Sequence, residues 1–216
     1  MAIVVGDLHG KIDKLEKILK EFNGELFYFV GDYLDSFDES IDNQLEVLGI
    51  VMNLAAENKA VSLLGNHELS YFSPKYLATG YKSETHLKLK EKFYFNFMLT
   101  TLLSVGRDEY IKYLNFPLSN EGFLISHAGF SKTWVDSSLE DFVIGRARGG
   151  SAVCGGPLWC DFRNEFVELP DVRQVFGHTR VKEITRVGDS WCIDCLDYVN
   201  QVLEISEGYA TVRRFE

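Results

Sequence analysis

Five short blocks place a glycine or serine beside side chains that can bind a metal ion or move a proton. They are Gly6-Asp7-Leu8-His9-Gly10, Gly31-Asp32-Tyr33-Leu34-Asp35, Gly65-Asn66-His67-Glu68, Ser126-His127-Ala128-Gly129 and Gly177-His178-Thr179. The donors are carboxylate, amide oxygen and imidazole, with no thiolate. Such a set suits divalent iron, manganese or zinc better than copper(I) or a cluster. It is too large for one tetrahedral ion. Two ions that share a bridging carboxylate would use all of it, and a pair of metals about 4 Å apart is a known device for hydrolysing phosphate esters. One aspartate at a strand end is ordinarily a turn residue, and one histidine has many ordinary roles. The joint occurrence points to a shared site: of five histidines, four (His9, His67, His127, His178) stand in these blocks, and only His86 does not.

Elements must bring the blocks together. Ala2 to Val5 is a short apolar run that stops at Gly6. Lys11 to Phe22 places Ile12, Leu15, Ile18, Leu19 and Phe22 on one face, with helical spacing. Leu26 to Val30 is continuously apolar, as in a strand buried on both faces. Ile41, Leu45, Leu48, Met52 and Ala55 give a second helix, and Val61 to Leu64 a third strand. This β-α-β-α-β run favours a mostly parallel sheet. The loops at the carboxyl ends of such strands hold ligands. From Tyr71 to about Leu103 the pattern turns irregular, then helical, and is rich in aromatics: Tyr71, Phe72, Tyr76, Tyr81, Phe93, Tyr94, Phe95 and Phe97. Strands are expected at Gly122 to Ser126, Val172 to Phe176, Ile184 to Val187, Trp191 to Leu196, Gln201 to Ile205 and Ala210 to Phe215. The expected fold class is α/β: two mixed β-sheets packed as a sandwich and flanked by helices. Residues 1–216 form one domain, with an aromatic-rich helical insertion at about 71–120.

Composition narrows the function classes. The chain has 216 residues, 46% hydrophobic and 25% charged, which suits one globular domain. A formal net charge of −10 argues against a broad basic surface for nucleic acid or anionic lipid. No apolar run is long enough to span a bilayer. The N-terminal Met1-Ala-Ile-Val-Val-Gly-Asp lacks a charged leader region and is expected to be a folded strand and not a signal peptide. Four cysteines, Cys154, Cys160, Cys192 and Cys195, are therefore expected as reduced thiols, and the protein as cytoplasmic. Cys192-Ile-Asp-Cys195 could suggest zinc or redox chemistry. In a strand, however, residues at odd spacing point to opposite faces.

The ordered blocks GDLHG, GDYLD, GNHE, SHAG and GHT resemble the calcineurin-like metallophosphoesterases, and within them the phosphoprotein phosphatase branch. The resemblance runs from Gly6 to about Asp194. It implies that Asp7 and His9 bind a first metal, that Asp32 bridges, and that Asn66, His127 and His178 hold a second. Manganese is the expected ion, with iron, zinc or magnesium as options. It further implies that His67 is the catalytic histidine, oriented by Asp35, and that a metal-bridging hydroxide attacks phosphorus. Asp194 is expected to be structural. Where the branch continues Asp-Arg-Gly, this chain has Asp35-Ser36-Phe37. A serine supplies one hydrogen bond but no bidentate positive fork. Arg163, after Pro157-Leu158-Trp159, is the best substitute, ahead of Arg146, Arg148 and Arg180. Arg163, Asn66 and Ser36 are thus the expected substrate-binding residues, with a surface salt bridge as the plain alternative for Arg163. The substrate expected first is a phosphorylated protein. The alternatives are a nucleotide, such as a diadenosine polyphosphate or cyclic nucleotide, and a non-catalytic scaffold on the same fold. The departure at Ser36 and the aromatic stretch favour the nucleotide; Glu68 favours the protein phosphatase. The sequence leaves the oligomeric state open.

Overall fold

The computed structural model describes residues 1–72, 80–91, 122–135 and 144–216. The first sheet begins with β1 (Ala2–Val5), β2 (Leu26–Phe29) and β3 (Ala60–Ser62), paired in parallel. Helices α1 (Ile12–Glu21) and α2 (Ile41–Ala56) are the crossovers. Both follow the expected periodicity. Leu15 and Ile18 are the buried face of α1, and Leu45, Leu48 and Met52 belong to that of α2. Ser40 caps α2, its Oγ accepting from Asn43 N–H at 3.1 Å, which satisfies one of the amides a helix start leaves unpaired.

Among the described residues the C-terminal part is rich in strands, as expected. The second sheet has the order β4-β5-β7-β6, from β4 (Phe123–Ser126), β5 (Arg173–Phe176), β6 (Thr185–Val187) and β7 (Ser190–Cys192). The chain then returns to the first sheet. There β8 (Gln201–Ser206) pairs antiparallel with β1, and β9 (Tyr209–Arg214) completes the order β3-β2-β1-β8-β9. Both sheets are therefore mixed. They share one hydrophobic core that runs from Ile3, Val4 and Phe29 to Ile125, Val175 and Phe176. All four residues of β1 are buried, as a strand covered on both faces requires.

Two elements differ from the periodicity. The third strand ends at Ser62, because Leu63 and Leu64 already turn toward Gly65; Leu63 N–H still reaches Phe29 O at 2.9 Å. The strand expected over Trp191 to Leu196 stops at Cys192. Past it, Cys195 N–H folds back onto Ile193 O at 2.8 Å. In the aromatic region, α3 (Asn66–Phe72) begins inside the third block, and α4 (Ser83–Glu91) follows. Tyr76, Phe93, Tyr94, Phe95 and Phe97, with most of the 71–120 insertion, lie outside the described residues. Among the described residues no helix is long and apolar enough to cross a membrane.

Main-chain hydrogen bonds tie the strand-end loops to one another. Leu8 and His9 N–H both donate to Asp32 O, at 3.1 and 2.8 Å, and Gly177 N–H donates to His127 O at 2.7 Å. Gly65 makes this approach possible. A Cβ there would lie 2.1 Å from Asp32 Oδ1 and 2.3 Å from Asp32 N, so any side chain must push the two loops apart. Gly65→Ala is expected to lower the melting temperature by several degrees, as overpacking costs about 1–3 kcal/mol, and to reduce bound metal. Unchanged melting and metal content would show that the loops have slack.

Candidate metal centre

All five blocks leave the carboxyl ends of their strands and meet. The buried Asp32 carboxylate is the hub: its Oδ2 lies 3.7 Å from His9 Nε2, 3.8 Å from His67 Nε2 and 3.4 Å from His127 Nε2. Two sets of potential ligand atoms lie within 4.8 Å of one another: His9, Asp32 and His67, and Asp32, His127 and His178. Asp32 belongs to both, the geometry of a bridging carboxylate. Asn66 stands in the second set, its Oδ1 2.9 Å from His127 Nε2 and 3.0 Å from His178 Nδ1. Asp7 is buried beside them, its carboxylate accepting from His178 N–H at 3.0 Å. All six expected ligands converge on one place.

The rings are set as metal ligands need to be. His9 Nδ1 bonds Leu34 O at 2.7 Å and His127 Nδ1 bonds Val30 O at 3.0 Å. A carbonyl can only accept, so each Nδ1 carries the proton, and each Nε2 presents a lone pair toward Asp32. Burial depresses His9 to about 4, despite the Asp32 charge, and holds His178 well below the ordinary range, helped by His127. Both imidazoles are therefore neutral at neutral pH, the form that binds metal. His178 Nε2 is buried with no hydrogen-bond partner among the described residues.

The carboxylates point the same way. Burial first, then the charges of Asp194 and Asp32, raise Asp7 well above the usual carboxylate range. Asp194 is pushed up to about 7 by burial together with Asp197 and Asp32. Burial also works against ionised Asp32, but the ring of imidazoles around it favours the ionised form and holds it well below the usual range. Buried carboxylates crowded in this way demand cations. The donor set fits two divalent ions: Asp7, His9 and Asp32 would hold one, and Asp32, Asn66, His127 and His178 the other.

Local backbone strain marks the same loops. His9, Asp32, Asp35 and His178 all have positive φ, between 42° and 66°. Such conformations cost of order 1–3 kcal/mol each and persist only where the surroundings fix them. One buried group does much of the fixing. Glu68, fully buried, accepts from the N–H groups of Asp32, Tyr33, Leu34 and Gly65 at 2.9 to 3.1 Å. Burial and the Asp32 charge raise its pKa to about 7. Glu68 thus braces the second and third blocks from behind and does not itself line the pocket, so it offers no contact to a substrate. The buried Gln44 takes Asp35 N–H at 2.8 Å. A polar residue on the apolar face of α2 was the sequence signal for it.

His67 Nδ1 is 3.0 Å from Asp35 Oδ2, the expected pairing, and its Nε2 faces the metal side. Burial opposes its charge, yet Asp32 and the bond and charge of Asp35 raise it to about 9. The pocket above holds about 380 Å³ and is lined by four of the expected ligands, His9, Asp32, Asn66 and His178, by His67 and Asp35, by Phe37, Trp159, Thr179 and Asp194, and by three arginines, Arg148, Arg163 and Arg180. Asp194 thus borders the site it was expected only to support. Arg163 is at the pocket as expected, donating to Arg180 O. Ser36 is buried and faces its own loop, its Oγ accepting from Asp38 and Glu39 N–H at 3.2 and 2.9 Å, so it is placed to shape that loop rather than to grip a substrate. Among the described residues no cysteine joins a metal-capable group.

The fold and the site together define a metal-dependent phosphoesterase. Residues 2–194 match the family model described as calcineurin-like phosphoesterase, and the chain belongs to that family. It is therefore a metal-dependent phosphoric ester hydrolase, and the scaffold alternative is set aside. Enzymes of this family work with two metal ions, which neutralise phosphate oxygens and make a water nucleophilic near neutral pH. A bis(5'-nucleosyl)-tetraphosphatase (asymmetrical) of Anoxybacillus flavithermus is 27% identical over 204 residues, covering 83% of this chain and 79% of that protein. Two solved structures share the fold. A cold-active protein-tyrosine phosphatase of a psychrophilic Shewanella has a TM-score of 0.59 at 16% identity, over 98% of this chain and 79% of its own. A protein serine/threonine phosphatase from Saccharomyces cerevisiae has a TM-score of 0.58 at 15% identity, over 100% and 79%.

The His67 environment has a measurable consequence in protein stripped of metal by chelation. A histidine whose folded pKa is about 9, against about 6.5 unfolded, contributes stability that is complete below pH 6.5 and lost as pH rises through 9. Melting temperature is expected to fall across that window in the metal-free protein and to fall less in His67→Asn. Equal slopes for the two proteins would contradict this.

Proposed function

We propose that this enzyme hydrolyses a nucleotide polyphosphate of the dinucleoside polyphosphate type. The observation that carries the reading is the pocket rim. Arg148, Arg163 and Arg180 line it together, while Ser36, where the resemblance would place an arginine, faces away. Arg148 Nε is held by Asp161 at 3.4 Å and Arg180 Nε by Asp197 at 3.0 Å. A single phosphoryl group needs one guanidinium fork; a chain of several phosphates can use several. Phe37, 70% exposed, lies at the same pocket and offers a face for a base. The Anoxybacillus relative, a bis(5'-nucleosyl)-tetraphosphatase, supports the same substrate class.

In this reading the chain's residues divide the work. Asp7, His9, Asp32, Asn66, His127 and His178 hold the cations. The arginines take the phosphate chain beyond the scissile group and fix its direction. His67, kept protonated by Asp35 and Asp32, donates to the leaving oxygen. Such general acid catalysis is worth about 10²- to 10⁴-fold. The net charge of −10 does not repel the substrate, because bound cations dominate the local field. A phosphoserine or phosphothreonine peptide is the second reading. The order of the five blocks favours it, and it would need only the floor of the site.

A panel of substrates with Mn²⁺ supplied separates the two: p-nitrophenyl phosphate, its bis-ester, a phosphothreonine peptide and diadenosine tetraphosphate. The tetraphosphate is expected to have the highest kcat/KM. Arg148→Ala and Arg180→Ala are each expected to raise its KM about tenfold, the loss of one charged hydrogen bond, and to change p-nitrophenyl phosphate little. Preference for the peptide would install the second reading. His67→Asn should lose about 10²-fold or more in kcat with metal content retained; normal turnover in that variant would remove His67 from the mechanism.

A further inference from the structure

His67 is oriented by Asp35, and Asp35 is itself held on three sides. Its N–H donates to Gln44 Oε1 at 2.8 Å. Its Oδ2 takes His67 Nδ1 at 3.0 Å. Its other oxygen, Oδ1, accepts a hydrogen bond from the Tyr71 hydroxyl. Tyr71 is on α3 and only 2% exposed. Burial and the Asp35 charge raise its pKa further above the ordinary phenol range, so the phenol keeps its proton and is the donor. The Tyr71 oxygen in turn accepts from Lys82 N–H at 3.3 Å. Lys82 also anchors its own segment, its Nζ donating to Ser36 O at 3.0 Å. Gly80 lies close over the pair: a Cβ there would be 3.1 Å from Asp35 Cβ and 3.4 Å from His67 Cε1.

We infer that Tyr71 is a positioning residue for catalysis: its hydroxyl, backed by Lys82 N–H, locks the Asp35 carboxylate so that one fixed oxygen orients His67 toward the leaving group. The physical reason is rotational. A carboxylate bonded at one oxygen can swing about its Cβ–Cγ bond, whose well is broad. A donor on each oxygen removes that freedom. The imidazole then keeps one tautomer and one direction. A buried phenol that only needed an acceptor could use a main-chain carbonyl, as Tyr33 does with Leu63 O. Tyr71 instead takes the one carboxylate that holds His67. The inference rests on the reading of His67 as general acid.

The test uses the full-length, metal-loaded enzyme and phosphate monoesters whose leaving groups run from p-nitrophenol through phenol to an alkyl alcohol. Proton donation matters little for a good leaving group and greatly for a poor one. His67→Asn should therefore steepen the dependence on leaving-group pKa. Tyr71→Phe should lower kcat about tenfold on the alkyl ester and less than about twofold on p-nitrophenyl phosphate, with KM unchanged. The double variant should be no slower than His67→Asn alone. As a readout independent of turnover, the downfield NMR resonance of His67 Nδ1–H should shift and exchange faster in Tyr71→Phe. If Tyr71→Phe melts far below the parent, Lys82→Pro, which removes the backing N–H, is measured in its place and should change both readouts in the same direction. Two results would overturn the positioning role and leave the acid in place: a loss equal on all esters and additive with His67→Asn, or an unmoved Nδ1–H resonance, with His67→Asn still steepening the dependence. A flat dependence in His67→Asn would remove the acid reading, and this inference with it.

Discussion

A buried carboxylate surrounded by imidazoles organises this enzyme. Asp32 is 2% exposed, and its Oδ2 has three imidazole nitrogens within 3.8 Å. An ionised carboxylate in such a place is unstable without compensation. His9 and His127 have each committed a proton to a main-chain carbonyl, so the nitrogen facing Asp32 has none to give in the neutral ring. Beside the protonated His67, the pocket floor thus turns the lone pairs of these two rings toward a negative charge. Divalent cations are the compensation that suits it. The surrounding structure holds these donors together against their mutual repulsion.

That holding is done mainly by backbone. Four of the site residues sit at positive φ, at a cost of order 1–3 kcal/mol each. Against this stand the four N–H groups gathered by Glu68. Glu68 bonds the amide of Asp32 and those of the two residues after it, so it opposes the strain of the second block, where Asp32 and Asp35 lie. The loops of the first block are tied by Leu8 and His9 N–H to Asp32 O. Strain is therefore opposed locally, within the loops that carry it.

Much of this was legible in the sequence, for a physical reason. Strands buried on both faces leave continuous apolar runs, and sharp exits from them need glycine, so Ala2–Val5 and Leu26–Phe29 announced themselves and their loops. Histidines confined to those exits announced the side chains that the structure gathers around Asp32. What was not legible depends on contacts across long stretches of chain. Glu68 read as a substrate marker, because nothing in GNHE says that its side chain folds inward onto the amides of residues 32 to 34. Ser36 read as a weak substitute for arginine, because its turn toward Asp38 and Glu39 is a matter of rotamer. Tyr71 read as one aromatic among many. Its bond to Asp35 joins residues 36 apart, and no periodicity encodes that.

Floor and rim are built on different principles, which bears on how such a site can change its substrate. The floor donors are placed by strand ends and by hydrogen bonds to main chain, so moving one moves a loop. The rim arginines are placed by single side-chain or carbonyl contacts: Arg148 by Asp161, Arg180 by Asp197, Arg163 by Arg180 O. Asp197 also holds Lys11 at 2.7 Å, which joins the start of α1 to the loop after His178. Exchanging a rim cation disturbs one such contact and none of the donors around Asp32. Selectivity in this arrangement can drift while the chemistry stays fixed, which is how the arginine expected after Asp35 can be absent with the metal centre intact.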